Sequence, residues 1–285
     1  MKCLVTGHQG FIGAELYSKL ISLGHDVRGI DLKSGMNVID VLDPASTSEQ
    51  FLDWIPDVIF HLACKPRVAY SVQEPLETMR NNVLSTSTIL AYAKKYKVSR
   101  VIYSGSSSVS GNGSGPISPY ALQKLTSETE CKLYSQLYNL DTVTLRYFNV
   151  YSENKEDGNP YATAIAKWRY SIKNKINPFI TGDGNQRRDM AHLEDVVSAN
   201  IFAMNYEKNF NGNVFDVGTG SNMSLNEIKD IIHKINSKIK FDYVAPREGD
   251  VFKTLANMQP LRDIGWTPSI TLEEGINRSF IEFQK

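Results

Sequence analysis

The chain has 285 residues and 31 basic against 31 acidic side chains, a formal net charge of zero that excludes bulk attraction to a polyanion such as nucleic acid. Its length admits one large α/β domain or two small ones, and no apolar run approaches the roughly 20 residues needed to span a bilayer. Three widely separated cysteines (Cys3, Cys64, Cys131) and a first strand that leaves no room for a signal peptide predict a soluble cytoplasmic protein with free thiols and no membrane partner.

Cys3-Leu4-Val5-Thr6 predicts a short buried strand. It is followed by the turn Gly7-His8-Gln9-Gly10-Phe11-Ile12-Gly13 and an amphipathic run to Leu23. Strand, glycine turn and helix in that order let backbone approach a pyrophosphate, which a helix N-terminus attracts through its N–H groups and dipole. Gly7, Gly10, Phe11, Ile12 and Gly13 are therefore expected at a dinucleotide. Asp26 to Ile30 predicts the next strand, with Asp31 at its end. An acid about 20 residues beyond the glycines accepts from ribose hydroxyls and repels a 2′-phosphate, favouring NAD over NADP. In the apolar segment from Asn37 to Asp43, Asp40 or Asp43 could meet the adenine amino group, and each could equally serve a turn or cap. A helix is expected over Ser46 to Leu52 and a buried strand over Asp57 to Ala63. His61, in so apolar a strand, reads as a packed histidine with no catalytic role.

One long helical pattern runs from Pro75 to Lys97, and the strand Arg100 to Tyr103 delivers a serine cluster, Ser104 to Ser108, to its carboxyl end. Ligands of parallel α/β sheets sit beyond those ends. Ser118-Pro119-Tyr120 opens a further helix, with proline where its missing N–H matters little. Tyr120 and Lys124 are four apart and share a helix face. A tyrosine with its ordinary pKa of about 10 is a poor base at neutral pH, and a fixed ammonium beside it favours the phenolate. Asp141 to Arg146 predicts another strand. Strands alternate with helices throughout, which predicts a doubly wound parallel sheet over residues 1–151. From residue 152 to 285 the pattern changes to a smaller lobe interleaved with the end of the sheet.

Taken together, the glycine turn, Asp31, His61-Leu62-Ala63, Asn82-Val83, Ser106, Tyr120-x-x-x-Lys124, Leu145 to Val150, Arg188-Asp189 and Arg247-Glu248-Gly249-Asp250 resemble the extended short-chain dehydrogenase/reductases. Within them the chain is similar to the nucleotide-sugar 4-epimerases over nearly its whole length. The resemblance implies a Rossmann domain binding NAD, with Leu62, Ala63 and Lys124 at the cofactor, and a C-terminal substrate-binding lobe. It implies Tyr120 as catalytic base, Lys124 as the residue that lowers its pKa, and Ser106 as the hydroxyl bonded to the reacting sugar oxygen. Asn149 resembles the family's substrate-binding asparagine. Arg188 and Arg247 resemble its diphosphate-gripping arginines, and Asp250 its ribose ligand. Thr254 resembles a pocket wall near the sugar C2 substituent, small enough to admit an N-acetyl group.

The implied reaction is 4-epimerisation of a UDP-hexose through a transient 4-keto sugar, with no metal. A 4-ketoreductase, dehydratase or decarboxylase is the alternative on this fold, and a non-catalytic NAD sensor is more remote. Ser107 and Ser108 stand where eliminating relatives carry acids, which favours epimerisation. Gly105 replaces a common serine, Ser110 a common tyrosine, and the loop between Gly111 and Tyr120 is short. The family also implies a homodimer through a four-helix bundle, built from the helices at 75–97 and 118–139.

Overall fold

The computed structural model describes residues 1–32, 40, 42, 51, 53–111, 113–154, 162–246 and 251–284. Strand β1 (Lys2–Thr6) runs into the glycine turn and helix α1 (Phe11–Ser22), followed by β2 (Asp26–Ile30) and β3 (Val58–His61). Asp43 and most of the expected helix over 46–52 lie outside the described residues. Helices α2 (Val68–Gln73) and α3 (Pro75–Met79) come next, then a π-helical turn (Arg80–Leu84) and α4 (Ser85–Lys95). The pattern read as one helix over 75–97 is thus divided by a turn of wider pitch. Strand β4 (Arg100–Ser106), helix α5 (Pro119–Tyr138) and strand β5 (Asp141–Tyr147) complete the first run.

The remainder carries α6 (Ala164–Lys173), β6 (Phe179–Thr181), β7 (Arg187–Arg188), α7 (Leu193–Asn205) and β8 (Asn213–Val217). It closes with β9 (Met223–Ser224), α8 (Leu225–Ile235), β10 (Asp242–Val244), α9 (Gln259–Asp263) and α10 (Leu272–Phe280). The central parallel sheet has the order β2-β1-β3-β4-β5-β8, with Cys3 opposite both Val27 and Val58 and Ile59 opposite Val101. Reversal of the strand order on either side of β1 is the doubly wound arrangement, and the carboxyl ends of β1 and β4 carry the glycine turn and the serine cluster.

Two compact units divide the chain. The first holds Met1–Val109, Pro116–Arg146 and Val197–Phe215. The second holds Ser110–Gly115, Tyr147–Val196 and Asp216–Lys285. The first unit packs Leu4, Ile30, Ile59, Ile89, Leu90, Val101 and Tyr103 into one core. A buried ion pair in the same unit joins Arg100 Nε to Asp141 Oδ2 at 2.6 Å. The same guanidinium donates to the carbonyls of Ala203 (2.6 Å), Tyr206 (2.8 Å) and Lys208 (2.8 Å), where the end of α7 leaves acceptors without ladder partners. In the second unit Trp168, Ile228, Ile232, Ile276 and Phe280 share a core. There α8 starts on a capping box, with Ser224 accepting from the Glu227 N–H and Glu227 accepting from the Ser224 N–H. Among the described residues no helix is long and apolar enough to cross a membrane.

Candidate active site

The glycine turn is shaped by three close approaches. Gly7 has φ +73°, and a Cβ there would lie 2.9 Å from the Ala63 nitrogen, so the turn sits against the chain leaving β3. The Gly10 N–H donates to the Gly7 carbonyl at 2.9 Å. A Cβ at Gly13 would fall 2.1 Å from that same oxygen, so the first turn of α1 can nest on Gly7 only when residue 13 has no side chain. Gly10 caps α1 without any side-chain acceptor, and no acid lies in its first turn. Asp31 Oδ2 accepts from the Gln9 N–H at 2.9 Å, which brings the expected ribose acid to the edge of the turn. Asp40 accepts locally from the Leu42 N–H at 2.9 Å, the turn role that its sequence also permits. A narrow backbone cradle, an uncapped helix start and an adjacent carboxylate fit a dinucleotide pyrophosphate and ribose.

Ser106, Tyr120 and Lys124 all belong to the first unit. Ser118 caps α5 by accepting from the Ala121 N–H at 3.2 Å, and the Tyr120 N–H donates to Ser71 Oγ at 3.0 Å. Tyr120 and Lys124 are both buried. Lys124 Nζ donates to the Ser104 carbonyl at 2.7 Å and lies 6.0 Å from the Tyr120 ring centre and 4.9 Å from that of Tyr103. Ser106, at the end of β4, acts on the Tyr120 phenol to favour its ionised form, and its Oγ is 2.9 Å from Ser108 Oγ.

Burial pushes the Tyr120 pKa up to about 12, while Lys124 and Ser106 act downward. This corrects the simple expectation of a lowered value. The ammonium works in the predicted direction, but desolvation of the ring outweighs it in the chain alone. Gly105 has its own reason: a Cβ there would meet Thr144 Cγ2 at 2.7 Å, so serine is excluded by the approach of β5. Arg146 of β5 in turn holds Glu128 of α5 through a paired contact, Nε–Oε2 2.8 Å and Nη2–Oε1 2.6 Å.

His61 is a satisfied core histidine, as its strand implied: Nδ1 is 2.8 Å from Thr6 Oγ1 and Nε2 is 3.1 Å from Thr86 Oγ1. Leu62 and Ala63 follow it into contact with Gly7.

In the second unit, Asn149, Arg188 and Thr254 gather around Asp189. Asn149 has φ +38° and donates from Nδ2 to the Asp189 carbonyl at 2.7 Å. The Asp189 N–H faces Thr254 Oγ1 at 3.1 Å and the Thr254 carbonyl at 3.2 Å. Arg188 Nη1 donates to the carbonyls of Arg187 (3.0 Å) and Phe252 (3.3 Å). The buried Asp189 carboxylate accepts at Oδ1 from the Thr219 N–H and hydroxyl, both 2.8 Å, and at Oδ2 from the Gly220 and Ala256 N–H groups, both 3.0 Å. Arg247 and Asp250 lie outside the described residues. Sequence reasoning marked Asp189 and Asn82 only as pattern positions and passed over Ser71 and Gln123. Of these, Gln123, one helical turn from Tyr120, is the one whose spacing in the sequence points to it.

Residues 3–218 match the family described as NAD dependent epimerase/dehydratase. The chain belongs to that family. It is 34% identical over 297 residues to a putative UDP-glucose 4-epimerase of Methanocaldococcus jannaschii, covering 96% of each chain. Among solved structures it resembles the UDP-glucose 4-epimerase of Thermotoga maritima determined with UDP-glucose. The TM-score is 0.91 at 30% identity, covering 99% of this chain and 98% of that one. It also resembles a UDP-N-acetylglucosamine 4-epimerase of Methanobrevibacter ruminantium in complex with UDP-N-acetylmuramic acid. There the TM-score is 0.89 at 31% identity, covering 99% and 97%. The chain is thus an NAD-dependent enzyme of the extended short-chain dehydrogenase/reductase type, and the cradle around Gly7 and Gly13 fits the cofactor its family uses.

Proposed function

We propose that the enzyme is a 4-epimerase of UDP-hexoses. The observation that carries this reading is the Ser106–Tyr120–Lys124 arrangement with Ser107 and Ser108, not acids, beside it. Tyr120 Oη takes the proton of the sugar 4-hydroxyl, and Ser106 Oγ bonds the same oxygen as it becomes a carbonyl. Bound NAD supplies the acceptor for the C4 hydride and the donor when it returns to the opposite face. Lys124, held by the Ser104 carbonyl, favours the phenolate; Tyr120 then gives its proton back to the oxygen of the inverted centre. Elimination of water needs an acid or base next to the serine, which this chain lacks, so the dehydratase branch of the family is disfavoured.

Gly7, Gly10, Phe11, Ile12, Gly13, Asp31, Leu62 and Ala63 serve the cofactor in this reading, and Asn149, Arg188, Arg247, Asp250 and Thr254 the UDP-sugar. Arginine suits the diphosphate because its fork pairs with two phosphate oxygens. Threonine at 254 admits an N-acetyl group at C2, so N-acetylhexosamines are accepted alongside UDP-glucose and UDP-galactose. The test is incubation of the purified protein with each UDP-sugar without added cofactor. Interconversion of the 4-epimers is expected; a requirement for stoichiometric NADH would instead identify a ketoreductase. Turnover of UDP-N-acetylglucosamine should be lost in Thr254→Tyr and retained in wild type, and equal use by both would refute the role of Thr254.

A homodimer completes the proposal. Leu76, Met79 and Leu84 on one helical stretch and Leu122, Leu133 and Leu137 on α5 are exposed, Leu76 at 85%. A groove of about 560 Å³ between α3 and the start of α5 is lined by Leu76, Met79, Ile117 and Leu122. Two adjacent helices with apolar outer faces suit a second copy of themselves. Light scattering at micromolar concentration should give twice the chain mass, and a monomer would refute the assembly.

A further inference from the structure

Helix α5 turns two working faces inward. Along one, Tyr120, Lys124 and Glu128 recur every fourth residue, facing Ser106, the Ser104 carbonyl and Arg146. Along the other, Gln123 and Ser127 are also four apart and both meet the π-helical turn at Asn82. Gln123 is fully buried, and both the oxygen and the nitrogen of its side-chain amide are bonded. Oε1 accepts from Asn82 Nδ2 at 2.8 Å, while Nε2 donates to Thr78 Oγ1 at 2.9 Å and reaches the Pro75 carbonyl at 3.4 Å. The Asn82 carbonyl takes the Ser127 hydroxyl at 3.2 Å and the Thr86 hydroxyl at 2.9 Å. Asn82 Oδ1 accepts from the Lys65 N–H at 2.7 Å, and Nδ2 also faces the Lys65 carbonyl at 3.3 Å.

Lys65 ends the segment that begins with Leu62 and Ala63, whose backbone lies against Gly7. One buried amide cluster therefore indexes three things to each other: the catalytic helix, the π-helical turn, and the chain beneath the glycine turn. A packed hydrocarbon could fill the space of Gln123, but only the amide carries this directional tie.

We propose that Gln123 is a positioning residue whose side-chain amide, held by Asn82 and Thr78, sets the rotation of the catalytic helix and hence the place of the Tyr120 oxygen. The proposal rests on the reading of Tyr120 and Lys124 as the catalytic pair. The Arg146–Glu128 and Lys124–Ser104 contacts hold the catalytic face of the helix, and Gln123, with the Ser127 hydroxyl on the Asn82 carbonyl, holds the adjoining face against the π-helical turn. The phenol oxygen lies roughly 9 Å from the helix axis, so a rotation of about 5° moves it by about 0.8 Å. Displacements of about 1 Å at reacting groups lower rates by up to about 100-fold.

Gln123→Met keeps the volume and removes the amide. The expected result is a folded, NAD-containing protein with kcat lowered about tenfold or more and KM within about twofold. In crystal structures of wild type and variant, the Tyr120 Oη to Ser106 Oγ separation should lengthen by about 0.5 Å or more. A folded Gln123→Met with wild-type kcat, or with the Tyr120 oxygen unmoved, overturns the proposal. Should that variant not fold, Thr78→Val removes one of the two stronger bonds at constant shape. A kcat reduced about threefold or more at constant KM is then expected, and wild-type kcat overturns the proposal. A wild type inert on every UDP-sugar would refute the epimerase reading, while the crystallographic comparison would still decide the positioning role.

Discussion

Acid offers a quantitative test of how His61 is held. The imidazole is 1% exposed and bonded at both nitrogens to threonine hydroxyls. Burial first, and the Lys124 charge second, pull its pKa from 6.5 down to about 3. Below pH 6.5 the unfolded chain takes a proton that the folded ring refuses, so stability falls as pH drops from 6.5 towards 3 and is unaffected above 6.5. Each pH unit in that window is worth about 1.4 kcal/mol. At pH 5 the loss is therefore about 2 kcal/mol, and about 5 kcal/mol once the whole window is crossed. Against a usual total of about 5–15 kcal/mol this is a large effect.

Urea melts of wild type and His61→Gln at pH 7 and pH 5 measure it. Glutamine can still bond a hydroxyl but does not titrate, and carboxylate contributions common to both proteins cancel in the difference. Wild type should lose about 2 kcal/mol more than the variant between the two pH values. A difference below about 0.5 kcal/mol would mean that the folded protein protonates His61 freely, and the account of a sealed histidine would fail.

Two further perturbations address the cofactor turn and the base. Gly13→Ala places a methyl 2.1 Å from the Gly7 carbonyl, so the turn must open; cofactor released from the purified variant should be below about a tenth of wild type, and equal content would refute the cradle. Lys124→Met leaves burial of Tyr120 less opposed, so the phenol pKa moves further up. The acid limb of the pH–rate profile should shift to higher pH with activity at pH 7 down about 100-fold or more, and an unshifted limb would remove Lys124 from that role.

Local signals in the chain proved strong where one physical cause dominates. The helix opened by Ser118-Pro119-Tyr120 was legible because proline stands where its missing N–H matters little, and α5 starts at that proline. Third-residue glycines from Gly7 to Gly13 marked a backbone nested on itself, and His61 was legible as core because its neighbours are apolar. The π-helical turn was not legible. Arg80-Asn81-Asn82-Val83-Leu84 contains no glycine or proline, and what widens the helix there is Asn82 turning inward to Gln123 and Lys65, partners far along the chain. The Tyr120 pKa was half legible for the same reason. Its helical neighbour Lys124 could be read from spacing, but burial under the sheet could not.

Asp189 shows how little room one position can leave for stepwise change. Its two carboxylate oxygens each face two donors, its N–H and carbonyl are used by Thr254 and Asn149, and a Cβ on Gly218 would sit 2.9 Å from Oδ2. Asparagine, nearest in shape, would turn its NH₂ towards at least one N–H group whichever way it is oriented and leave that donor unmet. Alanine, glycine and valine would take the acceptor from the Thr219, Gly220 and Ala256 N–H groups, and glutamate, histidine and tyrosine are larger side chains at a buried position that Gly218 already approaches closely. These are the residues a single base change can reach from an aspartate codon. In a mutational library, therefore, new arrangements of the loops at 219–222 and 254–256 should arise first through their own residues, with Asp189 the last member to change.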